Sequence, residues 1–233
     1  MPLGGLFTGK LAFLIICLAL FHLTLSGIYI SAGESDFTIN DRTLGWAEEH
    51  YGVAARKRLL AWQDLMRSKD GEELTKLNNV NKFFNNIKFI DDYSQWGKND
   101  YWATPTEFLA SGGGDCEDFA IAKYFTLITI GIAEQQLTLT YVKALRLNTS
   151  HMVLTYYPAP DLEPLILDNL IDAIEPSSQR TDLLPVYSFN TSDLWDAKIR
   201  GQRERLGVAR KILPWRELLL KMDQDVPKNE VTP

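Results

Sequence analysis

Cys116 stands in the run Gly112-Gly113-Gly114-Asp115-Cys116-Glu117-Asp118, where a glycine loop gives way to residues that start a helix. A helix N-terminus offers unpaired N–H groups and a partial positive charge, both of which favour a thiolate over a thiol. A nucleophilic sulfur fits there, although a free cysteine is also among the most buried residue types. His151, in Ser150-His151-Met152-Val153, opens an apolar strand-like run and carries a ring suited to taking a proton from a thiol. Of the three histidines, His22 falls in an N-terminal apolar segment and His50 in a charged helix, which leaves His151 as the candidate base. Asp168 ends the short apolar run Leu165-Ile166-Leu167, a place from which a carboxylate orients an imidazole and stabilises its cation. The competing reading of these two residues is a hydrogen-bonded core histidine and a turn aspartate.

The acids around Cys116 pose a physical problem. Asp115, Glu117 and Asp118 surround a sulfur that must itself become anionic, and like charges push a thiol pKa upward. A hard divalent cation would neutralise them, and calcium suits an oxygen-rich set with no second Cys or His beside it. Alternatively, Glu117 and Asp118 complement the helix N-terminus, for a few tenths to about 1 kcal/mol each. The residues alone leave both readings open.

The segment from Asn81 to Asn169 resembles the bacterial transglutaminase-like cysteine proteases, and among them the LapG-type periplasmic proteases. Four stretches carry the resemblance: Asp100-Tyr101-Trp102-Ala103-Thr104-Pro105-Thr106-Glu107-Phe108-Leu109, the glycine box with its cysteine, Ser150-His151-Met152-Val153, and Leu167-Asp168-Asn169. The resemblance implies Cys116 as nucleophile, His151 as general base and acid, and Asp168 as orienting carboxylate. It also implies calcium dependence, with the ion at Asp115 and Glu117 and with Asp118 as a further ligand. It implies a periplasmic substrate, the N-terminal segment of a large surface adhesin whose release disperses biofilm. The implied regulator is an inner-membrane cyclic di-GMP receptor whose periplasmic domain sequesters the protease. A transglutaminase-type acyltransferase uses the same three residues and hands the acyl group to an amine, and a non-catalytic protein-binding module is the reading outside enzymes. Cys116 supplies the first oxyanion donor through its backbone N–H, and the second lies open between the Trp102 indole and Gln95.

The surrounding elements must bring these residues together. Residues 1–32, with Lys10 ahead of an apolar run from Leu11 to Ile30, read as a signal peptide or an N-terminal membrane anchor, and residues 33–233 as one transglutaminase-like cysteine protease domain. Cys17 belongs to the first segment, so the exported domain keeps a single thiol and forms no internal disulfide. A net charge of −6 without a dense Lys/Arg block argues against nucleic acid as a partner. Apolar periodicity predicts one or two helices over 41–68, another over 74–87, a helix starting at Thr104-Pro105, and the cysteine helix from Cys116 to about Ile130. Asp91 to Gly97 reads as a loop. Strand-like runs follow at 137–147, 151–157, 165–168 and 186–189, with a last helix over 214–222. The expected fold class is α+β, papain-like or transglutaminase-like: N-terminal helices, and a Cys-bearing helix packed on an antiparallel β-sheet that carries His and Asp.

Overall fold

The computed structural model describes residues 37–196 and 204–225, so the expected signal or anchor segment lies outside the described residues. The described residues belong to one compact unit that begins at Phe37. Among them, no helix is long and apolar enough to cross a membrane.

Helices α1 (Asp41–Tyr51), α2 (Val53–Arg67) and α3 (Glu73–Asn85) come first. Asn40 caps α1 by accepting from Thr43 N, and Gly52, at φ 80°, decides for two of the one or two helices expected here. Strand β1 (Lys88–Phe89) and the one-turn helix α4 (Asp92–Trp96) follow. The stretch expected as a loop is therefore helical, held by the Asp91 side chain on Ser94 N; five residues are too few for periodicity to show. Helix α5 (Pro105–Ser111) starts at the expected place, where Thr104 and Glu107 form a reciprocal capping box with Pro105 in the first turn.

Strand β2 (Gly113–Gly114) pairs in parallel with β1 and leads straight into α6 (Cys116–Thr129). The α6 side chains Phe119, Ile121, Tyr124 and Leu127 are buried. Trp62 on α2 donates its indole N–H to Thr126 at 2.8 Å, which ties the N-terminal helices to this central one.

Seven strands then build an antiparallel sheet: β3 (Leu137–Ala144), β4 (Thr149–Tyr156), β5 (Leu165–Leu167), β6 (Glu175–Pro176), β7 (Leu183–Phe189), β8 (Asp193–Asp196) and β9 (Glu204–Val208), in the spatial order β6-β5-β4-β3-β7-β8-β9. Alternation along β4 sends Met152, Leu154 and Tyr156 into the core shared with the helices and Val153 into a second cluster with Val142, Ala144, Ile166 and Leu183. The last helix, α7 (Leu213–Asp225), buries Trp215 among Phe125, Tyr124 and Phe189. The expected α+β arrangement, with the cysteine helix packed against the sheet's β3 and β4, is what the chain forms.

Candidate active site

The glycine run is a positioning device. Gly112 ends α5 in the left-handed region at φ 81°, and a Cβ there would meet the Arg58 guanidinium at 2.7 Å. That guanidinium in turn holds the Leu109 and Ala110 carbonyls at the end of α5. At Gly114 a Cβ would lie 2.3 Å from Asp118 Oδ2 and 2.8 Å from Phe108. Backbone without side chains is thus required to bring Cys116 to the first position of α6, where its N–H has no carbonyl partner within the helix.

His151 is the third residue of β4, and Asp168 follows the end of β5. Imidazole Nε2 and carboxylate Oδ1 are 2.7 Å apart, and both side chains are buried. Burial alone would raise Asp168, but hydrogen bonds from His151, Leu170 N and Arg180 outweigh it and hold the carboxyl down at about 2. An ionised carboxylate can only accept, so Nε2 carries the proton and Nδ1 is the basic nitrogen left for a thiol.

Cys116 and His151 line one cleft of about 530 Å³ with Trp102, Tyr141, Tyr187 and Met152 among its walls. Cys116 is partly buried, and its thiol donates to Glu117 Oε2 at 3.0 Å. Burial, followed by the charges of Glu117 and Asp115, pushes that thiol well above its usual range, while the Met152 backbone N–H pulls the other way. These neighbours favour the thiol over the thiolate. Lowering its pKa requires positive charge near Glu117 and Asp115.

The acids are more numerous than the motif suggests. Asp92, on α4, and Asp100, on the connection to α5, come within 4.8 Å of the Glu117 ligand atom, and Asp92 also groups with Asp115 and Asp118. Burial, then the Glu117 charge, raises Asp100 and Asp115; burial raises Asp92 to about 6 despite the hydrogen bond from Tyr101 N. Oδ1 of Asp92 and Oδ1 of Asp115 are buried with no hydrogen-bond partner among the described residues. Buried oxygens of this kind, on converging carboxylates, fit a hard cation, while Asp115 and Asp118 also form a capping box at the start of α6. Asp118 differs from the others: Oδ1 accepts from Ala103 N at 2.8 Å and Oδ2 from Asp115 N at 3.3 Å, so its side chain also ties down the loop in front of α6.

Sequence reading missed Asp92 and Asp100. Asp92 lies in the stretch expected as a loop and Asp100 opens one of the stretches that carry the resemblance, and the signal available was the density of Asp at 91, 92 and 100. Of the two residues considered for the second oxyanion donor, the Trp102 indole N–H is given to Asp100 Oδ1 at 2.9 Å, and Gln95 does not line the cleft.

Residues 55–196 match the family described as bacterial transglutaminase-like cysteine proteinase BTLCP. The chain belongs to that family. Its membership makes the chain a cysteine protease of transglutaminase-like fold. Among solved structures, Legionella pneumophila LapG is similar at 43% identity and a TM-score of 0.68, over 78% of this chain and 96% of that one. The calcium-bound form of Legionella pneumophila LapG gives 44% identity and a TM-score of 0.67, over 78% and 97%. An EGTA-treated form of it matches at 43% identity and a TM-score of 0.68, over 78% and 96%. No curated protein matches.

Proposed function

We propose that this family member is a calcium-dependent, periplasmic cysteine endopeptidase that cuts the N-terminal segment of a large cell-surface adhesin and so promotes biofilm dispersal. The observation that carries the catalytic reading is that His151, bonded to a buried Asp168 at 2.7 Å, lines the same cleft as a cysteine at a helix N-terminus. Calcium is supported by the unpartnered oxygens of Asp92 and Asp115 and by the calcium-bound state of the LapG relative. The adhesin substrate, the periplasmic location and control by an inner-membrane cyclic di-GMP receptor rest on the motif resemblance and on the leader-like residues 1–32.

In this mechanism Cys116 gives its proton to His151 Nδ1 and its sulfur attacks the peptide carbonyl. The developing oxyanion meets the Cys116 N–H at the start of α6. Asp168 stabilises the imidazolium through Nε2–H, and His151 then passes the proton to the leaving amine. Water, activated by the same nitrogen, hydrolyses the thioester. Asp115 and Glu117, with Asp92 and Asp100, would hold the calcium ion, and Asp118 backs them from α6. When bound, the ion supplies positive charge beside the thiol, the change that the calcium-free electrostatics call for.

The test is incubation of the purified full chain with an adhesin N-terminal fragment and with a peptide containing two consecutive alanines. Wild type and Cys116→Ala are compared, each with calcium and with a chelator. Cutting that vanishes in both the variant and the chelated sample supports the proposal. Incorporation of an amine without cutting would instead make the chain an acyltransferase. Binding without any turnover would make it a protein-binding module.

A further inference from the structure

A cationic side chain outside the three reacting residues touches Asp168 directly. Arg180, in the turn between β6 and β7, donates from Nη2 to Asp168 Oδ2 at 2.7 Å, while Oδ1 of the same carboxylate meets His151 Nε2 at 2.7 Å. One carboxylate is therefore divided between an imidazole and a guanidinium. Behind it, Asp182 takes Nε at 3.0 Å and Nη2 at 2.9 Å, a bidentate hold that fixes the plane of the guanidinium. Arg180 is 4% exposed and Asp168 1%, so water screens this contact little. Arg180 Nη1 is buried without a hydrogen-bond partner among the described residues, a local cost of the kind that accompanies functional sites.

The other charges facing Asp168 act differently. Lys123, on α6, bonds Asn85 Oδ1 at 2.7 Å, and Asn85 Nδ2 holds the Asp168 carbonyl at 2.9 Å, so this pair steadies the backbone. Asp172 meets Asn85 at 3.1 Å, and Asp182 stands behind Arg180. Apart from His151, Arg180 is the cation that grips the carboxylate itself among the described residues.

We propose that Arg180 is a positioning residue of the Cys-His-Asp site: it keeps Asp168 charged and turned so that Oδ1 faces His151, which holds the ring proton on Nε2 and leaves Nδ1 for Cys116. This inference rests on the protease reading given above. The test uses the full chain with calcium, as wild type, Arg180→Gln and Arg180→Lys, after melting curves confirm folding. Two readouts are taken across pH: alkylation of Cys116 by iodoacetamide, located by peptide mapping to separate it from Cys17, and turnover of the double-alanine peptide.

Arg180→Gln is expected to lower kcat about tenfold or more with KM within twofold, and to move the acid limb of both profiles toward neutral by about one unit. Arg180→Lys is expected to keep the limb near the wild-type position while recovering part of kcat, because an ammonium keeps the charge but cannot bridge Asp168 and Asp182 as a fork. A folded Arg180→Gln chain with kcat and both profiles within twofold of wild type would overturn the proposal. If Arg180→Gln does not fold, Arg180→Lys decides: a fall in kcat at unchanged KM supports positioning, and wild-type kcat and alkylation overturn it. Alkylation reads the thiol without substrate. A wild-type chain that alkylates readily yet cuts no peptide therefore defeats the protease reading, and the role of Arg180 is then judged on the alkylation profiles.

Discussion

His151 Nε2, from β4, and Asp168 Oδ1, from just past β5, meet at 2.7 Å with both side chains buried. The pairing assigns both ring nitrogens, because a carboxylate held at about 2 can only accept. Asp168→Asn would present an amide where the carboxylate was and favour the wrong tautomer. Its kcat is expected to fall by about 10²–10⁴-fold with the fold retained, measured by steady-state cleavage beside circular dichroism. Activity within a few-fold of wild type would remove Asp168 from the mechanism.

The same pairing sets a pH dependence. Asp168 has a folded pKa of about 2 against an ordinary 3.8, so its contribution to stability is complete above the ordinary value and is lost as pH falls toward 2. Its worth is about 2–3 kcal/mol. Urea denaturation of wild type and Asp168→Asn, at pH 7 and near pH 2, should show a difference that shrinks in acid. An unchanged difference would mean that the carboxylate is not held down.

The acidic cluster carries opposite penalties with and without calcium. Asp92→Asn removes one of the like charges, so in chelator the variant should melt a few degrees above wild type. With calcium it should bind the ion more weakly, by about tenfold or more, as read by titration calorimetry. Equal calcium affinity in variant and wild type would take Asp92 out of the site.

Gly114 is a packing requirement. A methyl group 2.3 Å from Asp118 Oδ2 and 2.8 Å from Phe108 cannot be absorbed without moving the first turn of α6. Gly114→Ala should cost about 1–3 kcal/mol in urea unfolding and lower cleavage further than that loss of folded protein explains. A variant as active and as stable as wild type would show that the glycine run before α6 tolerates displacement.

The parts of this site that sequence reveals are those whose chemistry is local. Cys116 is marked by its glycine box and helix start, His151 by being the histidine at the head of a strand, and the helices α1–α3 by apolar periodicity. Asp92 and Asp100 leave only a local density of Asp, and Arg180 leaves no local signature. They reach the site because α4, the link to α5 and the turn before β7 converge in space, and no spacing along the chain records that convergence. Strands β8 and β9 were hidden for another reason. Their Asp193, Asp196, Glu204 and Arg205 lie at the sheet's outer end, where half-exposed positions blur the alternation that announces a strand.

In the proposed assignment the nucleophile belongs to the helical layer, while the base lies on β4 and the carboxylate just past β5, later in the chain. Neither half has peptide-cutting chemistry alone. On that assignment the three residues come together only when the sheet has packed against α6, so a half-folded chain holds an incomplete set.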